Sequence, residues 1–234
     1  MHKKKNCIYV LSLHPVFNTE AAPQFENLSL RDSILLYSHL LANFIEIFGD
    51  IDLGFELVFC LNEKDENYIP KIFFPDDSIL FFNTSENINS KLEQLEQNYF
   101  SIFENNILIR ADVIGVSEKT IQKIFNLLAI EDDVLVIGKS INKKVVLLGF
   151  NNPEINLLDE MFSAALDYDT FLLEAGKSDM FLNTLNGFQL IENFSDFKNL
   201  YIELSKKESL SYCSQQIHER FTNLFVEYKD LLNE

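Results

Sequence analysis

The chain predicts an α/β fold, a single domain over residues 1–234 built on a mostly parallel sheet with helices on both faces. Residues 106–150 carry that expectation, because they read as strand, turn, helix, turn, strand, turn, strand. Ile107, Leu108 and Ile109 form the short unbroken apolar run of a strand buried on both faces. Ile121, Ile124, Phe125 and Leu128 recur at the spacing of one helix face, and Val134 to Ile137 returns as a β-branched apolar run. A strand, a helix of about three turns and a returning strand make a crossover, which requires parallel strands.

Within this unit Gly115 permits a tight turn, Ser117 caps the helix with Glu118 in its first turn, and Gly138 closes the second strand. Residues 144–148 supply a third strand ended by Gly149. Upstream, residues 6–13 make the first strand, with Ile8, Val10 and Leu11 as its apolar content. A helix over 29–48 follows, capped by Ser29, with Ile34, Leu35, Leu41, Ile45 and Phe48 in a stripe and Gly49 at its end. Strands are expected over 55–61 and 79–82, with a loop or short helix over 68–74 and a helix over 87–103. Downstream, residues 153–166 and 178–185 read as helices, 188–191 as an edge strand, and 195–200 and 209–232 as helices, the last with Cys213, Ile217, Phe221, Leu224, Phe225 and Tyr228 on one side.

The stretch Ile109-Arg110-Ala111-Asp112-Val113-Ile114-Gly115, the helix after it, and Ser140-Ile141-Asn142-Lys143-Lys144 running on to Gly149-Phe150 resemble a bacterial glycosyltransferase-like family. It is the family associated with radical-SAM and selenodomain proteins, within the nucleotide-diphospho-sugar transferase superfamily, and its pattern there is roughly I-G-x-D-x-P, a helix, then G-P-x-x-D-G-G-Y-x-L-I-G-L. Asp112, Gly138 and Gly149 keep their positions in that pattern. Arg110 replaces a glycine, Ile114 a proline, Asn142 an acid, and Lys143-Lys144 a pair of glycines. Lys91 stands where an L-G-E-R-M-like element carries an arginine. The resemblance implies a GT-A-like architecture, a nucleotide sugar or other phosphorylated small molecule as ligand, and Mg²⁺ or Mn²⁺ held by Asp112. It also implies a basic loop after the first strand to meet the diphosphate. Residues 13–23 keep only the proline of that loop and none of its basic positions, and the family's late tryptophan is missing because the chain has no Trp.

A net charge of -17 argues against nucleic-acid and anionic membrane partners, which require concentrated positive charge. Cys7, Cys60 and Cys213 are widely spaced and lack zinc or thioredoxin spacing, which predicts buried free thiols in a reducing, cytoplasmic compartment. No stretch is long enough to span a bilayer.

Asp112 is the leading candidate residue, since ligands of open α/β sheets bind beyond the carboxyl ends of strands. Its competing reading is a plain turn after a strand. Arg110, Asn142, Lys143 and Lys91 are candidate ligand contacts, with Lys139 and Lys144 as further members of a basic cluster; the competing reading, and the favoured one, is that these side chains merely cover a surface. Asn142 can hydrogen-bond but cannot act as a general base. The literal D-x-D of Asp167-Tyr168-Asp169 lies outside the sheet motif and reads as an exposed acidic turn. Two functions follow: a nucleotide-diphospho-sugar transferase-like protein with a partly eroded active site, or a catalytically inactive relative kept as a ligand-binding or protein-interaction module.

Overall fold

The computed structural model describes residues 4–49, 54–69, 78–82, 93–152 and 167–232. Its framework is an eight-stranded sheet in the order β3-β2-β1-β4-β7-β6-β8-β5. The strands are β1 (Lys4–Leu11), β2 (Glu56–Asn62), β3 (Ile79–Phe82), β4 (Phe103–Arg110), β5 (Val113–Ile114), β6 (Val134–Ser140), β7 (Val145–Phe150) and β8 (Phe181–Leu190). The helices are α1 (Leu30–Phe48), α2 (Glu118–Leu128), α3 (Tyr168–Ala175), α4 (Phe194–Leu204), α5 (Gln215–Glu227) and α6 (Lys229–Leu232).

Central strands are apolar on both faces because helices cover both. Cys7, Tyr9 and Leu11 of β1 face a core shared with Phe100, Phe150 and Phe171. Ile8 and Val10 face the opposite core, filled by Leu41, Phe44 and Phe48 of α1 and Ile121, Ile124 and Leu128 of α2. A third cluster, with Leu36 and Leu40 of α1, Phe197 and Leu200 of α4 and Phe221 of α5, binds the C-terminal helices to α1.

The expected crossover is present, with one feature added. β7 runs antiparallel to both β4 and β6 and lies between them, so β4 and β6 are parallel to each other without pairing. A connection as short as the one from Ser140 to Val145 makes a hairpin and has no room for a crossover. β5, also antiparallel, pairs with β8 and was not expected. Ser29 and Ser117 cap α1 and α2 as expected, each side chain accepting a first-turn N–H. Gly115 takes a φ of 102°, the conformation that glycine alone adopts freely.

Two expectations are corrected. Residues 178–185 are not a helix: most of that segment belongs to β8, which extends through Leu190 and sits between β6 and β5, not at an edge. The helix expected over 209–232 is three pieces, because Ser214 caps a new start at α5 and Tyr228 ends it. The helix expected over 153–166, most of the loop over 68–74 and the start of the 87–103 helix lie outside the described residues; Phe103 itself begins β4. No helix among the described residues is long and apolar enough to cross a membrane.

Candidate functional site

Four strands that point the same way, β1, β4, β6 and β8, deliver Ser12, Asp112, Asn142 and Glu192 just beyond their carboxyl ends. Backbone bonds fix this rim: the Ala111 N–H donates to Leu11 O at 2.9 Å, and the Ile191 N–H donates to Asp112 O at 3.0 Å. The most spacious cleft among those seen in the described residues, about 620 Å³, lies at the other end of the sheet beside Lys5, Glu104 and Asp133. Strand polarity, which places ligands at carboxyl ends, makes the rim the better candidate.

At the rim the two predicted residues Arg110 and Asp112 grip each other. Arg110 Nε donates to Asp112 Oδ1 at 2.8 Å and Nη2 to Oδ2 at 2.6 Å, a bidentate fork. The same Nη2 donates to Glu192 Oε1 at 2.8 Å. The Arg110 and Asp112 side chains are 8% and 6% exposed, whereas Glu192 is 42% exposed and forms the outer edge. Burial opposes the guanidinium's charge, but Asp112 and then Glu192 outweigh it and raise its pKa above the ordinary range. Tyr37 of α1 lies beside it, its ring tilted by 60° against that of His14 with ring centres 4.2 Å apart. Burial first, then the charges of Asp112 and Glu192, push its phenol well above its usual pKa, so it stays protonated.

Asn142 joins the rim through Asp196. Its Nδ2 donates to Asp196 Oδ1 at 3.0 Å, while Asp196 Oδ2 accepts the N–H groups of Glu192 and Asn193. Asn193 Oδ1 in turn accepts from the Asp196 N–H, completing a capping box at the start of α4. An aspartate at 142 would face the Asp196 carboxylate at that distance, so the amide is the residue that this neighbour accepts.

The candidate basic residues Lys139, Lys143 and Lys144 are each engaged separately, in keeping with the surface role that the sequence favoured for them. Lys143 is 64% exposed and pairs with Asp169 at 2.8 Å. Lys139 lies over the Tyr168 ring, 4.6 Å from its centre, and Lys144 bridges to Asp167 through the backbone. Lys91 lies outside the described residues. Asp167 caps α3 by accepting from the Thr170 N–H and hydroxyl, so the D-x-D triplet serves a helix end.

Sequence reasoning missed Glu192, Asp196, Tyr37 and Asp65. Asn193-x-x-Asp196 is a legible cap signal, but nothing local marks Asp65. Its buried carboxylate reaches 47 to 49 residues back along the chain to the loop after β1. There the N–H groups of Val16, Phe17 and Asn18 all donate to it, at 2.9, 2.8 and 2.9 Å. Three successive N–H groups turned to one side form an anion-binding nest, and here an internal oxyanion fills it.

Comparison of the whole chain with solved structures puts this arrangement in context. A proposed nucleotide-diphospho-sugar transferase from Desulfovibrio desulfuricans G20 superposes with a TM-score of 0.71 at 14% identity, over 99% of this chain and 98% of the other. The fold is nucleotide-diphospho-sugar transferase-like. The 4-diphosphocytidyl-2C-methyl-D-erythritol synthase of Anaerococcus prevotii DSM 20548 shares that transferase-like fold, with a TM-score of 0.53 and 15% identity over 86% of this chain and 96% of the other. Rv0371c of Mycobacterium tuberculosis H37Rv, solved in complex with manganese, matches at 0.50 with 10% identity, over 85% and 98% of the two chains. No protein-family model matches the chain, and no curated protein matches it in sequence.

The donor set at the rim does not fit a divalent ion as it stands. Mg²⁺ and Mn²⁺ take hard oxygen ligands, and both oxygens of Asp112 already accept from Arg110. Both oxygens of Asp196 are likewise engaged. No group of three or more His, Cys, Asp or Glu side chains among the described residues is arranged to hold a metal.

Proposed function

We propose that this chain is a divergent relative of the glycosyltransferase-like family associated with radical-SAM and selenodomain proteins, a single domain acting in the cytoplasm as a binding or interaction module. It keeps the transferase-like scaffold and no longer performs metal-dependent sugar transfer. The observation that carries this reading is the Asp65 carboxylate seated on the N–H groups of Val16, Phe17 and Asn18. In a sheet of this polarity the loop after β1 is the place for a ligand's phosphates, and a second anion there would meet both an occupied nest and a like charge. The lost basic positions of that loop and the dispersal of Lys139, Lys143 and Lys144 support the same conclusion.

Calorimetric titration with UDP, GDP and CDP and their sugar conjugates, with and without Mn²⁺, tests it. The expected result is no binding heat and no turnover with any of them, and a partner recovered with the protein from native lysate. Transfer or hydrolysis of any donor overturns the reading. A monomer that recovers no partner removes the interaction role.

A further inference from the structure

The geometry points to Arg110 as the resident counter-cation of the rim, a tethered guanidinium in the position that Asp112 and Glu192 would otherwise offer to a divalent ion. Two carboxylates from segments 80 residues apart in sequence converge on one nitrogen, Nη2, at 2.6 and 2.8 Å. Brought together without positive charge they would repel, and one of them would have to take up a proton. Either a metal ion or a cationic side chain removes that repulsion, and the chain supplies the side chain. Arg110 ends β4 and Asp112 stands in the turn that follows, so the fork joins two side chains only two residues apart in the chain.

The guanidinium is also fixed from behind. Its stem borders a void of only about 10 Å³ shared with Leu11, Leu108, Val145 and Leu147, so it has no ligand-sized space into which to withdraw. A planar five-donor group matched to two carboxylates is a permanent occupant, whereas a bound ion exchanges with solvent. The rim is therefore metal-independent by construction, and the latent acidic pair beneath the guanidinium remains competent to hold a hard cation once it is removed.

This inference rests on the reading that the rim is satisfied internally, but its test reads metal affinity and not ligand binding or turnover. Mn²⁺ itself is the probe, followed by electron paramagnetic resonance and by thermal shift. Wild-type protein is expected to show no Mn²⁺ binding that depends on Asp112. Arg110→Ala is expected to bind one Mn²⁺ and to gain thermal stability with it, and adding Asp112→Asn or Glu192→Gln to that variant is expected to weaken the binding by about tenfold or more. Arg110→Met, which keeps the packing of the stem while removing both the charge and the donors on Asp112, decides the matter if Arg110→Ala does not fold. Binding of Mn²⁺ by the wild type that is lost in Asp112→Asn overturns the inference. So does a folded Arg110 variant that binds none.

Discussion

Asp65 and His39 show how single side chains set the conditions under which the molecule holds together. Asp65 is fully buried and answers three backbone donors, so Asp65→Ala leaves those donors without their acceptor at a cost of about 3 kcal/mol or more. Chemical denaturation should show that loss, and Asp65→Asn should recover part of it, because an amide oxygen can still accept. His39 is held neutral: burial, then the charge of Arg220, lowers its pKa from 6.5 to about 4. Between those values the unfolded chain binds the extra proton and the native one does not, so stability falls as pH drops from 6.5 towards 4. The loss from this group reaches at most about 3 kcal/mol. Melting temperatures measured from pH 7 to pH 4.5 should fall less steeply for His39→Phe, which keeps an aromatic ring against Phe221. At this scale the sequence made Asp112 visible, because a carboxylate ending a buried strand stands out from its neighbours. It hid Asp65 and Glu192, whose partners lie 47 to 49 and 82 residues away in sequence.

Elements were legible where their own periodicity met a burial requirement. β4, α2, β6 and β7 appear where apolar runs and a capped amphipathic stretch placed them. β8 was misread because residues 181–187 include Asn183, Thr184, Asn186 and Gly187 and are largely uncovered, leaving no alternation to see. Gly149 shows how closely α2 packs on β7. A Cβ there would lie 2.6 Å from Ile124 Cγ2 and 3.4 Å from Val136 Cβ, so helix and strand approach to a distance only glycine permits. Gly149→Ala is expected to destabilise by about 1–3 kcal/mol, measured by urea denaturation, and Gly149→Ala with Ile124→Ala, which removes the Cγ2 in the way, should cost less than the two single changes summed.

Across the whole molecule, the alternation of strands and helices revealed the α/β class, but not that an antiparallel strand divides its parallel sets. That insertion depends on which strands find each other in space, and periodicity does not encode partners. The cysteines bear on the same scale, since each sits in a different core cluster or sheet strand and all three are buried thiols outside any disulfide. Burial pushes the Cys213 thiol up to about 12, and Cys7 and Cys60 are fully covered. Native protein should therefore react with a thiol reagent no faster than it unfolds, and all three thiols should react at once in denaturant. A fast-reacting native thiol would contradict this packing.

The position of β7 also bears on assembly. Along their length the ladder β3-β2-β1-β4 and the pair β6-β8 join through that one strand, with the short β5-β8 pairing as a second junction at the rim, so closing the β6-β7 hairpin brings most of the two parts together. Hairpins of this length close within microseconds, and the turn is the step that nucleates them. Lys143 holds a φ of 57° in that turn, a conformation glycine adopts without strain. Lys143→Gly should accordingly steepen the early arm of the reaction, raising the refolding rate in stopped-flow mixing more than it lowers the unfolding rate.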